Sequence, residues 1–345
     1  AEDELAAIGI AIGAGWNGAR AFTATSGPGI SLMSEFLGLA YFTEIPVVLI
    51  NVQRSGPSTG MPTRTQQSDL LSCAYASHGD TRNVLLFPSD PHECFEMTAD
   101  AFDLAERLQT PVIVMSDLDL GMNDHLCAPF SWDDQRRYDR GKVLSGEELD
   151  KLEKKWGRYL DIDKDGICYR TLPGAHPDKG AYTTRGTSHN EYAAYTEGSA
   201  AYERGMNRLL SKWETARQLV PMPEIVMRDK QKKLGAVYFG STAASAVEAL
   251  DRLEESNIPI NSMRVKAFPF QGEVFDFIAE HELVFIIEQN RDSQMEILLA
   301  GECQVAPGKM MHVNNFNGLA ITARMITNQI HTTLLAREKP FISPA

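Results

Sequence analysis

Two polar segments near the N-terminus carry side chains suited to binding a small anionic ligand. Residues 23–29 (Thr-Ala-Thr-Ser-Gly-Pro-Gly) leave an apolar stretch and open a helical pattern, so the backbone N–H groups and hydroxyls of Thr25, Ser26 and Gly27 should face a ligand crevice. Residues 51–60 place Arg54 beside a hydroxyl-rich loop. A guanidinium can hold a carboxylate through two parallel hydrogen bonds. A turn without a ligand and a solvated loop arginine are the alternatives.

Glu4 is the candidate acidic group of the same region. It starts a helical pattern that continues Leu-Ala-Ala-Ile-Gly, which places its carboxylate among apolar neighbours. Glu2 is its rival, but residues two apart on a helix point in different directions, so both cannot serve one role. A glutamate that only interacts favourably with the helix dipole is the alternative.

Three further patterns suggest chemistry but favour structural explanations. Residues 13–18 fit G-x-G-x-x-G, yet they close a helix instead of following a strand, which predicts close packing of small residues. Residues 161–166 copy the first half of a calcium loop, but Leu172 stands where the bidentate carboxylate should be. A glycine turn held by aspartate hydrogen bonds is therefore favoured there. His189 is interpreted as a structural, hydrogen-bonding histidine.

The candidate residues fall at strand ends in an alternating pattern of helices and apolar strands, which is typical of a doubly wound parallel sheet. Residues 119–231 are less regular, and alternation returns from residue 232. We predict an α/β domain at 1–130, a connecting region at 131–231 and a second α/β domain at 232–345. The predicted helices are 3–18, 29–42, 68–76, 91–107, 146–159, 190–219, 242–255, 273–281, 293–299 and 319–335, and the predicted strands are 19–25, 46–52, 83–87, 111–116, 235–239, 259–265, 283–288 and 310–313.

Composition narrows the function further. The 345 residues carry a formal charge of −13 and no dense basic patch, which argues against nucleic acid or an anionic membrane as partner. The five cysteines are scattered without a C-x-x-C pair, so we expect no metal or iron–sulfur site in this chain and a reducing, cytoplasmic location. No apolar run is long enough to span a bilayer. The chain starts without Met directly in a helical pattern, and we expect further residues upstream.

Taken together, the motifs resemble the α subunit of 2-oxoacid:ferredoxin oxidoreductases, and most of all the 2-oxoglutarate type. The resemblance extends over nearly the whole chain, and the stretch 53–70 is its most specific part. The segments that carry it are 4–7, 23–29, 52–60, 62–70, 163–174, 184–192, 268–270 and 288–290.

The resemblance implies a thiamine-diphosphate pyrimidine-binding domain followed by a transketolase-C-terminal-like α/β domain. It implies oxidative decarboxylation of 2-oxoglutarate with coenzyme A to succinyl-CoA, CO₂ and reduced ferredoxin. It also implies a separate β subunit that carries Mg²⁺, the diphosphate half of the cofactor site and a 4Fe–4S cluster, together with a second α subunit. This chain lacks a G-D-G diphosphate motif, which agrees with that division of labour.

The same resemblance assigns roles to single residues. Glu4 matches the glutamate that shares a proton with the aminopyrimidine N1′, and residues 25–27 match the segment beside the cofactor. Arg54 matches the arginine that holds the substrate carboxylate, and Ser58 and Thr59 match pocket-lining positions. Two alternatives stay open: the β chain of a lipoamide-linked 2-oxoacid dehydrogenase, which the loop 53–59 disfavours, and a non-catalytic CoA-binding or assembly subunit.

Overall fold

The N-terminal part of the molecule is a doubly wound α/β layer. The computed structural model describes residues 1–303 and 305–338. In chain order its first elements are α1 (Glu4–Trp16), β1 (Phe22–Thr25), α2 (Gly27–Thr43), β2 (Val47–Gln53), α3 (Leu70–Ala74), β3 (Val84–Leu86), α4 (Pro91–Leu108), β4 (Pro111–Asp117) and α5 (Leu118–Met122).

The centre of this layer is the parallel pair β2 and β4. Val47 lies opposite Pro111 and Gln53 opposite Asp117, and both strands are almost completely buried. Helices cover the sheet on both faces, which explains why the strands are continuously apolar instead of alternating. The carboxyl ends of β1, β2 and β4 therefore meet at one edge, where the polar segments after the strands come together.

A second α/β layer follows the connecting region. In chain order, the connecting region contains α6 (Gly146–Lys151) and α7 (Ser199–Leu219), and the elements that follow are β5 (Glu224–Val226), β6 (Leu234–Phe239), α8 (Thr242–Glu255), β7 (Asn261–Val265), β8 (Ala267–Phe268), α9 (Gly272–Glu280), β9 (Leu283–Glu288), α10 (Gln294–Glu302), β10 (Met310–Asn314) and α11 (Ala323–Glu338). The sheet order is β10-β9-β6-β7-β5, with β5 antiparallel at the edge. The predicted fold class is confirmed.

One strand ties the two layers together. Strand β8 pairs antiparallel with β3, so the first sheet has the order β1-β2-β4-β3-β8. The sequence pattern did not predict β5 or β8, because strands of two or three residues have no periodicity to read. The division at 130/131 and 231/232 stays a prediction, and residues 304 and 339–345 of the last predicted domain lie outside the described residues.

Two predicted helices in the connecting region are too long. The helix expected at 146–159 ends at Lys151, because Leu152 is extended (φ −71°, ψ 121°). The helix expected at 190–219 begins only at Ser199. The Asn190 side chain accepts hydrogen bonds from the backbone N–H groups of Tyr192 and Ala194, at 3.0 and 3.1 Å, and this local turn competes with the helix.

The structural explanations of the other motifs agree with the geometry. A Cβ on Gly15 would lie 2.3 Å from the Pro46 carbonyl oxygen, so this glycine permits close packing of α1 against the start of β2. His189 stacks on Tyr159 with ring centroids 3.8 Å apart, and burial lowers its pKa.

The calcium-like loop at 161–166 is held by a lysine. The Lys142 ammonium lies 2.7 Å from Asp163 and 2.8 Å from Asp165, and it also donates to the Ile167 carbonyl. Asp161 accepts a hydrogen bond from the Gly166 N–H at 3.0 Å. The Lys142 ammonium thus lies between the carboxylates, and the turn itself is held by the hydrogen bond to Asp161, as the structural explanation predicts.

A buried ion cluster fastens the connecting region to the first layer. Glu44 follows α2 in a left-handed conformation, and its side chain is fully buried. Its carboxylate accepts from Arg208 at 2.5 and 3.0 Å and from Lys212 at 2.9 Å. Arg158, also buried, donates to the Glu44 carbonyl oxygen at 2.9 Å.

Across residues 1–303 and 305–338, no helix has the length and apolar character that crossing a membrane requires.

Candidate functional site

A cavity of about 510 Å³ opens at the carboxyl ends of the first sheet, between the two layers. Its walls come from the start of α2, the loop after β2, the start of α3 and the loop between β9 and α10. The residues that line it are Gly27, Pro28, Ser31, Arg54, Ser55, Gly56, Pro57, Ser58, Met61, Gln66, Ser68, Asp69, Ser72, Asn290, Arg291, Asp292, Gln294 and Phe316.

Arg54 is a cation of this cavity with unused hydrogen-bonding capacity. It follows β2 directly, and its Nε is buried without a hydrogen-bond partner among the described residues. A buried donor that finds no partner costs free energy, so an incoming acceptor would be bound favourably. The sequence prediction of a guanidinium at a strand end facing a crevice is thus supported by its position.

The loop that follows Arg54 is fixed by its own hydrogen bonds. The Ser55 N–H donates to the Arg64 carbonyl at 2.9 Å, and the Ser55 hydroxyl donates to the Thr65 carbonyl at 3.1 Å. Gly60 has φ +53°, and a Cβ there would lie 1.9 Å from the Ser55 carbonyl oxygen, so this turn requires glycine.

Of the two hydroxyl residues predicted to line the substrate pocket, Ser58 and Thr59, only one lines the cavity. Ser58 lines the cavity, in a left-handed backbone conformation with φ 57°. Thr59 is exposed and is not among the lining residues. Adjacent loop residues point in different directions, which the sequence could not reveal.

Asp69 packs directly against Gly27 in the cavity wall. A Cβ on Gly27 would lie 2.8 and 2.9 Å from the two carboxylate oxygens of Asp69, so the glycine makes room for this side chain. Asn51 donates to one of these oxygens at 3.1 Å. Burial raises the pKa of Asp69, while Asn51 and Arg54 oppose the shift. Asp69 lies in the stretch 62–70 that resembles the family, but nothing in the sequence indicates that it faces the pocket.

Glu4 lies beside the same helix start but outside the cavity. It is half-buried at the first position of α1, and Asp3 caps this helix by accepting from the Ala6 N–H at 2.7 Å. A Cβ on Gly29 would lie 2.9 Å from Glu4 Cγ and 1.8 Å from the Thr25 hydroxyl, so Glu4 and Thr25 both pack on Gly29. Glu2 is exposed and precedes the helix.

Glu4, Thr25 and Ser26 are therefore adjacent to the cavity wall without lining it. Ser26 stands at the N-cap of α2, and its side chain makes no capping hydrogen bond. Gly27, the next residue, does line the cavity. The N-terminus of α2 thus has Glu4 and Thr25 on one side and Asp69 on the other.

A buried polar network joins the two layers behind the cavity. The Gln67 side chain lies 3.4 Å from the Asp117 carboxylate, and its oxygen accepts from Thr242 at 3.0 Å. Ser241 donates to Asp117 at 2.5 Å. Burial raises the pKa of Asp117, against the hydrogen bond from Ser241. Each of these polar groups has a hydrogen-bond partner within the network, so the network fixes the position of one layer relative to the other.

The loop after β9 is anchored just as firmly. Glu288 is buried at the N-terminus of α10 and accepts from the Met295 N–H at 2.9 Å. Asn290 donates to Glu288 and to the Gln67 carbonyl, at 2.5 and 2.9 Å. Burial raises the pKa of Glu288 to about 7, although its hydrogen bonds act in the opposite direction. The Gln294 side chain donates to the Ser68 carbonyl at 2.7 Å and accepts from the Leu71 N–H at 3.1 Å, so it holds the chain on either side of Asp69.

The arrangement offers the unpartnered Nε–H of Arg54 to a carboxylate, and the carboxylate of Asp69 to an N–H or O–H donor. Within 1–303 and 305–338 there is no cluster of three or more histidine, cysteine, aspartate or glutamate side chains that could hold a metal ion. The buried Nε of Arg54 suits the cavity to an organic anion.

Known proteins show what this chain is related to. Residues 1–127 match the family model described as pyruvate flavodoxin/ferredoxin oxidoreductase, thiamine diphosphate-binding. The 2-oxoglutarate synthase subunit KorA of Methanothermobacter thermautotrophicus is 42% identical, over 84% of this chain and 74% of that protein. The chain belongs to the family of 2-oxoacid:ferredoxin oxidoreductase α subunits. The resemblance inferred from the motifs is thereby confirmed.

Other members of the family are longer than this chain. Subunit alpha of 2-oxoacid:ferredoxin oxidoreductase 2 from Aeropyrum pernix is 36% identical over 89% of this chain, but only 47% of that subunit is covered. The solved 2-oxoglutarate:ferredoxin oxidoreductase of Magnetococcus marinus, which has 2-oxoglutarate, coenzyme A and succinyl-CoA bound, matches with a TM-score of 0.86 and 30% identity. That match covers 96% of this chain and 56% of the other. A split-gene transketolase at 12% identity and TM-score 0.51 shares the fold alone.

Proposed function

We propose that this chain is the α subunit of a thiamine-diphosphate-dependent enzyme that converts 2-oxoglutarate and coenzyme A to succinyl-CoA and CO₂. Two electrons pass to ferredoxin, and the reaction is reversible. The observation that carries the proposal is the buried Nε of Arg54, which has no hydrogen-bond partner within residues 1–303 and 305–338, since a 2-oxo acid brings a carboxylate that can accept from it. The 42% identity to a 2-oxoglutarate synthase subunit supports 2-oxoglutarate as substrate.

The residues around the start of α2 fit one half of a thiamine diphosphate site. Glu4 and Thr25 pack on Gly29 so closely that a Cβ could not be added there, which leaves a cradle of carboxylate and hydroxyl groups. Ser26 and Gly27 extend it towards the cavity. Thiamine diphosphate, when bound, supplies the nucleophilic carbon that adds to a 2-oxo group and the electron sink for decarboxylation.

Each side chain then has a defined task. Glu4 would hold a proton at N1′ of the aminopyrimidine, the role that its match to the glutamate of the family implies. Arg54 holds the substrate carboxylate that leaves as CO₂ and thereby orients the neighbouring carbonyl. Ser58 contributes a hydroxyl to the substrate wall, and Thr59 flanks it from outside the cavity.

The rest of the machinery belongs to partner chains. A β subunit would supply Mg²⁺, the diphosphate-binding half of the cofactor site and a 4Fe–4S cluster, and a second α subunit would complete the assembly. Ferredoxin would accept the electrons in a cytoplasmic setting.

The test is an anaerobic assay of the assembled α–β complex, which follows dye or ferredoxin reduction that depends on 2-oxoglutarate and coenzyme A. Glu4→Gln should lose most turnover while the complex stays assembled, because the amide cannot exchange a proton with N1′. Glu2→Gln is the matched control and should remain active, since Glu2 is exposed and lies outside α1. Full activity of Glu4→Gln would contradict the proposal.

A further inference from the structure

We propose that Asp69 binds a proton together with the substrate: its side chain takes up one proton when a carboxylate binds beside Arg54, and it then donates a hydrogen bond to the bound anion. This inference rests on the proposed function and deepens it, because it makes substrate affinity depend on a second residue of the same site. Asp69 directly precedes α3, and both Asp69 and Arg54 line the cavity.

The Asp69 side chain does not cap the helix that it precedes. An aspartate at this position usually accepts a hydrogen bond from a backbone N–H of the first helical turn. Asp3, Asp90 and Asp117 each do so at the start of their own helices, and Asp90 accepts from the Glu93 N–H at 2.8 Å. Asp69 makes no such bond to α3. A capping bond given up in this way marks a position where function outweighs local stability.

The Asp69 carboxylate lies instead between β2 and the first turn of α2. Asn51 donates to its Oδ2 at 3.1 Å, and a Cβ on Gly27 would lie 2.8 Å from its Oδ1. A larger residue at position 27 would therefore displace the carboxylate. Glu4 packs on Gly29 and not on Gly27, so the two acidic side chains contact different positions of the helix start.

The backbone of Asp69 is held at the end of β2. The Gln53 side chain accepts from the Asp69 N–H at 3.2 Å, and the Ser72 hydroxyl donates to the Asp69 carbonyl at 3.1 Å. Gln53 immediately precedes Arg54, so this bond ties Asp69 to the strand end that carries the guanidinium. A carboxyl group on such a fixed backbone is in place before a ligand arrives.

The charged groups around Asp69 come from three elements. Arg54, after β2, lowers the pKa of Asp69 through its charge, whereas burial raises it. Cys73 on α3 stays neutral, because burial raises the pKa of its thiol well above the usual value. The loop after β9 contributes Arg291 and Asp292, which pair with each other at 2.7 and 3.0 Å. The residues of α2 that line the cavity are uncharged. Arg54 is therefore the charge that favours the ionised form of Asp69.

A bound carboxylate reverses this balance. It engages the guanidinium of Arg54 and brings a second negative charge towards Asp69, and both effects raise the pKa of Asp69 further. The protonated carboxyl group has an O–H that can donate to the anion, whereas the ionised group can only accept. Proton and carboxylate therefore favour each other's binding, since such coupling is reciprocal. The proton comes from solvent, and no covalent bond forms or breaks.

The experiment counts protons by titration calorimetry of the assembled complex loaded with thiamine diphosphate. Glutarate is the probe, because it carries carboxylates but no oxo group and does not react. The binding enthalpy in buffers of low and high ionisation enthalpy gives the number of protons taken up. Wild type should take up more than about 0.3 proton per glutarate at its maximum between pH 5 and 8, and Asp69→Asn less than about 0.1. Asp292→Asn, the other aspartate of the cavity lining, is the matched control and should keep the uptake of wild type.

The pH profile of KM gives a second readout. For wild type, KM for 2-oxoglutarate should rise by up to about tenfold per pH unit between the pKa of Asp69 in the empty cavity and its higher pKa with substrate bound. Asp69→Asn should show no such rise, because its amide stays neutral and still donates a hydrogen bond.

The opposite results have distinct meanings. Binding of glutarate to wild type without proton uptake, or an undiminished uptake in Asp69→Asn, would refute the role of Asp69 while leaving the proposed reaction intact. If glutarate does not bind, the KM profile decides: a rise with pH that Asp69→Asn abolishes supports the proposal, and a flat profile in wild type refutes it. A wild-type complex that oxidises no 2-oxo acid would instead refute the proposed function itself.

Discussion

Replacement of Glu44 by Gln should destabilise the protein strongly without touching the cavity. The Glu44 carboxylate is the negative charge that offsets the buried Arg208 and Lys212, and it accepts three hydrogen bonds from them. Burial alone would raise the pKa of Glu44, but Arg208 and Lys212 hold it well below its usual value. The substitution leaves these cations buried without a counter-charge.

The magnitude follows from the burial. Removing one partner of a buried ion pair costs about 3–5 kcal/mol, against about 0–1 kcal/mol for an exposed pair. Denaturant unfolding of wild type, Glu44→Gln and the control Glu35→Gln measures the difference. Glu35 lies on α2, the helix that Glu44 follows, but its side chain is exposed. Its substitution should therefore change the free energy of unfolding by less than about 0.5 kcal/mol.

The pH dependence provides an independent check. A carboxyl group whose pKa is lowered in the folded state adds stability that is present above its unfolded pKa and is lost as the pH falls. The difference between wild type and Glu44→Gln should therefore be complete at neutral pH and shrink below pH 4.5, the ordinary pKa of this group. A difference below about 1 kcal/mol at neutral pH, or one that grows on acidification, would refute the reasoning.

Two further predictions concern the site. Gly29→Ala should weaken thiamine diphosphate binding by the assembled complex, because its Cβ would lie 1.8 Å from the Thr25 hydroxyl and 2.9 Å from Glu4 Cγ. Gly13→Ala is the control and should bind the cofactor normally, since its Cβ meets nothing within 4 Å; equal affinities of the two variants in titration calorimetry would contradict the prediction. Burial raises the folded pKa of Glu288 from 4.5 to about 7, so wild type should lose stability as the pH rises through this window, and Glu288→Gln should not. The measurement is the free energy of unfolding of both proteins between pH 5 and 8, and the same pH dependence in both would count against the prediction.

The sequence by itself determined the fold class and the candidate residues. Continuous apolar strands alternating with helices can be buried on both faces only in a parallel α/β layer, and the predicted bounds of α8 (Thr242–Glu255) and β9 (Leu283–Glu288) agree with the structure. Because the carboxyl ends of parallel strands meet at one edge, the sequence also predicts that Gly27 and Arg54 lie close together there.

Only the tertiary structure decided which of these residues share a cavity. Asp69 is separated from Asn290 and Arg291 by more than two hundred positions along the chain, and packing of the two layers brings all three residues to the lining of one cavity. Thr59 is exposed and does not line the cavity, although the preceding residue, Ser58, does. The reason is physical: periodicity records which face of an element is apolar, whereas a cavity arises where elements from distant segments fail to fill space between them, and no local pattern encodes that.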